Sequence, residues 1–249
     1  MRNKYSDLID QTFVFPQEEF KVEDNNLFWH EIDLIEVIKQ YGTPLKISYL
    51  PKITQNIQRA RRIFNVAMAK ADYKVTYHYC YCTKSSHFSF VLEEALKNDI
   101  HLETSSAFDI NIIESLYENG HISQEQFVVC NGFKRAQYIE NIARLVNTGF
   151  KNVIPVFDNM TEVDALTPQL NKKIKIGIRI ASEEEPKFEF YTSRLGIGYK
   201  DIISFYEKKI KDNEMMELKM LHFFINSGIH DNAYYWSELL KCVNLYVRL

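Results

Sequence analysis

The sequence predicts an α/β protein, and three observations carry that reading. Short runs of β-branched and aromatic residues alternate with segments of helical periodicity; the runs start 25, 27, 26, 21 and 44 residues apart; and polar residues gather just after each run. Such alternation is the signature of parallel strands joined by crossover helices, and its regularity points to a TIM-like β/α barrel. A whole barrel takes eight units and ~250 residues. From Val75 to Leu249 only six strands are read, so the barrel is expected to be incomplete, about six of eight βα units, and the chain to be the N-terminal portion of a longer protein.

The elements follow in order. Residues 1–44 are read as an N-terminal segment that packs on the barrel or on a further domain, and 45–249 as the barrel. Within the first segment LFWHEI (Leu27–Ile32) is the one strand expected. Asp33 followed by Glu36 is a capping-box pattern with Asp in place of Ser, opening a helix that ends at Tyr41 and Gly42. LKISYL (Leu45–Leu50) is read as a strand, and Pro51 suits the first turn of a helix in which Ile53, Ile57, Ala60, Phe64 and Ala67 recur at helical spacing. Strands are then expected near 75–82, 100–104, 127–130, 153–157, 174–180 and 218–225. Helices are expected at about 86–98, 107–119, 134–147, 160–166 and 199–210, with a last one from Ala233 onward.

With 46% hydrophobic and 25% charged residues in 249, the chain reads as an ordinary soluble globular protein. A formal net charge of -3, without a basic block, gives no electrostatic case for nucleic acid. No run approaches the ~18 apolar residues needed to cross a membrane, and the start, MRNKYSDLIDQTFVF, lacks a secretory pattern. A cytoplasmic protein with reduced cysteines is expected. Cys80, Cys82, Cys130 and Cys242 do not form a disulfide framework. His78, Cys80 and Cys82, spread along one strand face, cannot close a tetrahedral metal site unaided, so no metal is expected.

The stretch from His78 to Ser86, HYCYCTKSS, is where chemistry is most concentrated. His78, Cys80, Cys82 and Lys84 fall on every second position and share one face, while Tyr79 and Tyr81 take the other. A lysine therefore ends the strand on its inward face, and Ser85 and Ser86 are expected to lie near the cap of the next helix. In a barrel, sites gather at the C-terminal ends of the strands. Lys84, Glu103 to Ser105, Asn131 with Gly132, Asp158 with Asn159, Arg179, and Asn226 with Ser227 all fall there. Polar loop composition alone is the competing explanation.

YCTKSS (Tyr81–Ser86) resembles the Tyr-Ala-x-Lys-Ala/Cys-Asn box of the pyridoxal-phosphate decarboxylases with an alanine-racemase-like barrel, the ornithine, diaminopimelate and arginine decarboxylase family. YGTPL upstream, HLETSSAFDI one strand on, GIRI with SRLGI, and LHFFINSG on the sixth strand follow in the family order. LETSSAFDI and LHFFINSG look most like biosynthetic arginine decarboxylases. The resemblance implies pyridoxal 5'-phosphate as cofactor, with Lys84 as the lysine condensing with its aldehyde, a role suited to an amine partly desolvated at a barrel mouth. It also implies Arg179 beside the ring, Ser227 at the phosphate, and Glu103 as the acidic position near the ring. Where the family stacks a histidine on the ring, this chain has Phe224, which can stack but cannot donate a proton. His222 lies two residues earlier on the same face. Asn226 replaces a glycine, and Ser86 replaces the asparagine of the lysine box.

The implied reaction is decarboxylation of a basic amino acid, arginine to agmatine and CO2 first among them, for polyamine synthesis. The alternatives are ornithine, diaminopimelate or carboxynorspermidine as substrate, or a catalytically silent paralogue, which Phe224 favours and Lys84 disfavours. Glu183, Glu184 and Glu185 are either partners for a guanidinium or a solvated face. The glycine-rich phosphate loop, the acid for the pyridine nitrogen and the residues contributed across a dimer interface are expected beyond Leu249. The resemblance therefore implies a homodimer or larger homo-oligomer, and little activity from this stretch alone.

Overall fold

The computed structural model describes residues 19–181, 195–224 and 232–249. It divides into two compact units, Met1–Tyr49 and Leu50–Leu249.

In the first unit β1 (Phe20–Glu23), β2 (Asn26–Trp29) and β3 (Ile32–Asp33) form an antiparallel meander. Its hairpins turn on Asp24–Asn25 and His30–Glu31, each pair with φ near +47° and +66°. Two successive left-handed residues match the twist of the flanking strands. LFWHEI is thus not one strand, because His30 and Glu31 are the turn between two. Asp33 caps α1 (Leu34–Tyr41) by accepting from the amides of Ile35 and Glu36 at 2.9 and 3.2 Å, which is the expected signal. The strand expected over LKISYL is absent: residues 45–49 have no ladder partner among the described residues. Alternating apolar residues stabilise a strand only where a neighbouring backbone completes it. Ring stacking holds this stretch instead, Tyr49 lying on His30 at 3.8 Å and against Trp29 at 5.6 Å.

The second unit opens with α2 (Pro51–Lys70), Pro51 at its first turn. The strands β4 (Cys80–Cys82), β5 (His101–Thr104), β6 (Phe127–Cys130), β7 (Asn152–Phe157), β8 (Ile174–Ala181) and β10 (Met216–Phe223) then pair in parallel, with the short β9 (Ile197–Gly198) beside β8. Among the six longer strands each lies next to its predecessor, and the spatial order does not reverse. That is barrel winding; a doubly wound sheet would reverse at a switch point. The connections are α3 (Ser89–Leu96), α4 (Ala107–Glu118), α5 (Ala136–Asn147), α6 (Met160–Leu166) and α7 (Ile202–Phe205), which runs on as a π-helical stretch, Tyr206–Ile210. The final helix is α8 (Asn232–Arg248). Leu92, Leu102, Ile113, Ile142, Leu145 and Ile176 lie fully buried in the main core, each contributing about 1.5–3 kcal/mol by burial.

The alternation read from HYCYC holds. Tyr79 and Tyr81 pack outward on Ile57, Ala95 and Ile100, while His78 meets His101 and Phe127, and the Cys82 thiol meets Glu103, on the inner face. Ladder pairing nevertheless covers only Cys80–Cys82 of the expected 75–82 strand. The helix expected from Ser86 starts at Ser89, with Phe88 at its cap and no capping side chain. The reason is local: the amide of Ser85 bonds the Cys82 carbonyl at 3.1 Å, and the Tyr81 hydroxyl donates to the Ser86 carbonyl at 3.0 Å, so the serines belong to a turn. β9 gave no sequence signal. Gly196, at φ +100°, precedes it where a Cβ would stand 2.7 Å from the Ala181 nitrogen, so a side chain is excluded there.

Candidate functional site

The C-terminal ends of β4, β5, β6 and β8, with the segment after β10, surround a cavity of about 610 Å³. That is the size of pockets that hold cofactors. Lys84 reaches it from the turn after β4, Ser105 and Ser106 from the start of α4, Asn131 and Gly132 from the end of β6, Arg179 from β8, and Phe224 from the residue after β10. The Phe224 ring lies near both cations, its centroid 5.1 Å from Lys84 Nζ and 5.9 Å from Arg179 Cζ. Both gain from the negative face of that ring. The structure thus brings Lys84, Arg179 and Phe224 into one cavity.

Glu103 does not line it. Its carboxylate lies on the inner face of the barrel, accepting from Asn131 Nδ2 at 3.0 Å, with the Cys82 thiol at 3.8 Å. Burial, reinforced by the Glu103 charge, raises the Cys80 thiol to about 11 and also raises that of Cys82. Both are therefore thiols near neutral pH, poor as metal ligands or nucleophiles. Ser227, Asn226 and Glu183 to Glu185 lie outside the described residues.

Asn131 is the junction of the floor. Its Oδ1 accepts from Arg179 Nη1 at 3.5 Å, its Nδ2 lies 3.0 Å from Glu103 and 3.3 Å from His222 Nε2, and its carbonyl accepts from the Tyr138 hydroxyl at 3.2 Å. Tyr138, itself buried, also shares a hydrogen bond of 2.8 Å with Thr104. Arg179 Nε lies 3.7 Å from Asp158 Oδ1, an ion pair in which neither Asp158 oxygen has a hydrogen bond among the described residues. Burial raises the Asp158 carboxyl, opposed by Lys134 and Arg179. Burial likewise pushes His222 down to about 4, against the pull of Glu103 and with the repulsion of Arg179, Lys84 and Lys134.

Beneath this floor Lys134 and Glu162 form a buried ion pair at 3.3 Å. Lys134 Nζ also donates to the carbonyls of Gly132, at 2.9 Å, and Val156. Glu162 accepts from the amides of Lys134 and Asp158 at 2.9 and 3.0 Å and from the Asn159 side chain at 3.1 Å. The pair staples the loop after β6 to the first turn of α6, and Glu162 ties in Asp158 after β7. Next to it Gly132, at φ +79°, passes so close to Ser105 that a Cβ would stand 2.9 Å from the Ser105 oxygen. At the start of α4, Asp109 accepts from the amides of Ser105 and Ser106 at 2.7 and 3.1 Å in a capping box.

Lys134, Glu162, Tyr138 and Asp109 were not singled out by sequence. Asp109 had a signal, since Ser106 and Asp109 stand at capping-box spacing. Lys134 and Glu162 had none, because each is unremarkable beside its own neighbours and their pairing is a product of the fold.

A family model described as pyridoxal-dependent decarboxylase, pyridoxal binding domain, matches residues 52–249. Among curated proteins, a biosynthetic arginine decarboxylase of Prochlorococcus marinus (strain MIT 9215) is 28% identical over 236 residues, covering 88% of this chain and 36% of that protein. The tobacco (Nicotiana tabacum) chloroplastic arginine decarboxylase 1A is 26% identical over 244 residues, covering 88% of this chain and 33% of its own length. The chain thus spans about a third of the curated relatives it matches. A diaminopimelate decarboxylase from M. jannaschii, solved with L-lysine, superposes with a TM-score of 0.77 at 17% identity, covering 93% of this chain and 53% of that one. The biosynthetic arginine decarboxylase of Campylobacter jejuni superposes at 0.70 and 18% identity, covering 93% and 39%. These superpositions show the fold, and the family match covering most of the second unit places the chain in the pyridoxal-binding domain family of the pyridoxal-dependent decarboxylases.

Proposed function

We propose that this chain supplies the cofactor-binding unit of a pyridoxal-phosphate decarboxylase acting on a basic amino acid, arginine foremost, releasing CO2 and agmatine. The observation that carries the proposal is the shared cavity: an amine, Lys84, and a guanidinium, Arg179, both within 6 Å of one aromatic ring, Phe224, at the C-terminal mouth of a barrel. The curated relatives named arginine decarboxylases favour arginine over ornithine, diaminopimelate or carboxynorspermidine. A cytoplasmic setting fits the four free cysteines, and a homo-oligomer is proposed on the family resemblance.

The residues fit the cofactor. Lys84, Arg135 and Arg179 line the cavity, and among the described residues no carboxylate does, so an anionic phosphate ester is attracted rather than repelled. The Lys84 ammonium has no carboxylate partner among the described residues and is exposed to the cavity mouth. In the proposed roles Lys84 would hold the cofactor covalently, Phe224 would offer it a flat face, and Ser227 would reach its phosphate. The cofactor, when bound, supplies an electron sink for the bond that loses CO2. The protein's share is orientation: Asp158 and Asn131 hold Arg179 in place, the Tyr138–Thr104 bond stiffens the wall, and the buried floor excludes water. The carboxylate expected to meet a guanidinium is not among the described lining residues.

The test is to mix the chain with pyridoxal phosphate and reduce it with borohydride. A near-visible absorbance band and a mass tag on Lys84 are expected, and a band that survives Lys84→Ala refutes the assignment. Release of CO2 from arginine, ornithine, lysine and diaminopimelate by the full-length protein then ranks the substrates. Phe224 favours a second reading, a silent cofactor-binding paralogue, which would give the tag on Lys84 and no CO2 from any of them.

A further inference from the structure

The Asn131 side chain is buried, with one hydrogen-bonding choice fixed at each end. Arg179 Nη1 can only donate, so the atom facing it at 3.5 Å is the amide oxygen. The Glu103 carboxylate only accepts, so the atom facing it at 3.0 Å is the amide nitrogen. A flip of the amide would set NH2 against guanidinium and oxygen against carboxylate, losing both bonds. The second hydrogen of Nδ2 is then directed at His222 Nε2, 3.3 Å away. A ring nitrogen that receives a hydrogen bond carries no proton, so the imidazole proton sits on Nδ1. His222 Nδ1 is buried and has no hydrogen-bond partner among the described residues.

We propose that Asn131 is a positioning residue whose amide ties Arg179, Glu103 and His222 together and holds His222 as the neutral Nδ1–H tautomer below the cavity. The charged groups facing His222 are Glu103 from β5, Arg179 from β8, Lys84 from the turn after β4 and Lys134 from the loop after β6. Three of these four are cations, so electrostatics and the amide act in the same direction. His222 then presents a buried neutral donor two residues before Phe224, the ring that has none to offer, and adds no further cation beside Lys84 and Arg179. Only this consequence at the cofactor rests on the proposed function; the tautomer is a property of the chain itself.

The test is nitrogen NMR on the chain labelled with 15N-histidine, with His222→Gln identifying its signals among the seven histidines. The expected wild-type spectrum shows His222 unprotonated at Nε2 through the neutral range, with a midpoint of about 4. Asn131→Asp, nearly the same shape, sets an acceptor against Nε2 and is expected to raise that midpoint by roughly 1–3 units. Cofactor added to the same samples gives the second readout, a shifted or weakened absorbance band in Asn131→Asp that Asn131→Gln partly restores. An Nε2–H tautomer in the wild type, or a midpoint near 6.5 that Asn131→Asp leaves in place, overturns the proposal. Absence of any absorbance band in the wild type instead overturns the decarboxylase reading and leaves the tautomer result standing. The wild-type spectrum needs no variant, so a variant that fails to fold does not shield the proposal.

Discussion

Replacing Lys134 by methionine isolates the buried ion pair under the site. The substitution keeps an unbranched stem of similar volume and removes the ammonium. Glu162, 2% exposed, loses its counter-charge, and the carbonyls of Gly132 and Val156 each lose a donor. Breaking one side of a buried pair costs about 3–5 kcal/mol. Here the carboxylate keeps three N–H donors, from the amides of Lys134 and Asp158 and the side chain of Asn159, which places the cost at the low end, about 3 kcal/mol. Glu162→Gln is a sharper probe of geometry. All four partners of Glu162 are donors, so whichever way the amide turns, its NH2 faces another donor, at a cost of roughly 1.5–3 kcal/mol. Urea titration of both variants, with unchanged m values, measures these losses. Because the pair joins the loops that carry Asn131 and Asp158, both variants should also weaken cofactor binding without touching the cavity wall. A loss below about 1 kcal/mol for Lys134→Met would refute the reasoning, since it would mean that water or a rearranged neighbour already serves the carboxylate.

The other predictions concern the cavity and its pH dependence. Lys84→Ala should remove covalent cofactor retention while changing urea stability by less than about 0.5 kcal/mol, as expected for an exposed side chain; a large loss of stability would show that the lysine is structural. Gly132→Ala should cost about 1–3 kcal/mol and impair cofactor binding, because φ is +79° and the added methyl meets the Ser105 oxygen at 2.9 Å; an unchanged melting temperature would contradict that close approach. His222 is held down to about 4 from an ordinary 6.5, and His101 is also lowered, in both cases chiefly by burial. The unfolded chain therefore binds more protons between these limits, so this contribution is fully present above about pH 6.5 and is lost as pH falls toward 4. For His222 the limit is about 3 kcal/mol. Asp158, raised by burial, works in the opposite sense at acid pH. Urea midpoints across this range should fall less steeply on the acid side in His222→Gln than in the wild type, and parallel curves would exclude His222 as their source.

What sequence made legible was whatever short-range chemistry decides. The periodicity of Ile53, Ile57 and Ala60 gave α2, the Asp33 cap gave the start of α1, and the alternation of His78, Cys80, Cys82 and Lys84 put the lysine on the cavity side of the barrel. The motif order alone points Arg179 and Phe224 toward one site, and the structure places both at the same cavity. The misreadings share a different cause. LFWHEI broke into two strands because His30 and Glu31 adopt the left-handed conformation, which neither residue type announces. LKISYL carried the right alternation without a backbone to pair with among the described residues, and Ser85 and Ser86 went to a turn because Tyr81, on the outer face, reaches round to the Ser86 carbonyl.

The same division runs through the site. Glu103 was legible as an acid at a strand end, yet its role in the floor is set by Asn131, 28 residues on, and through Asn131 by His222, 91 residues further. No window of sequence holds those three together. A single change at the amide tests whether the floor is one unit: if Asn131→Asp moved His222 and left the environment of Arg179 untouched, the four side chains would be neighbours rather than a network. Coupled shifts at both, in a chain that keeps its fold, are the outcome the geometry requires.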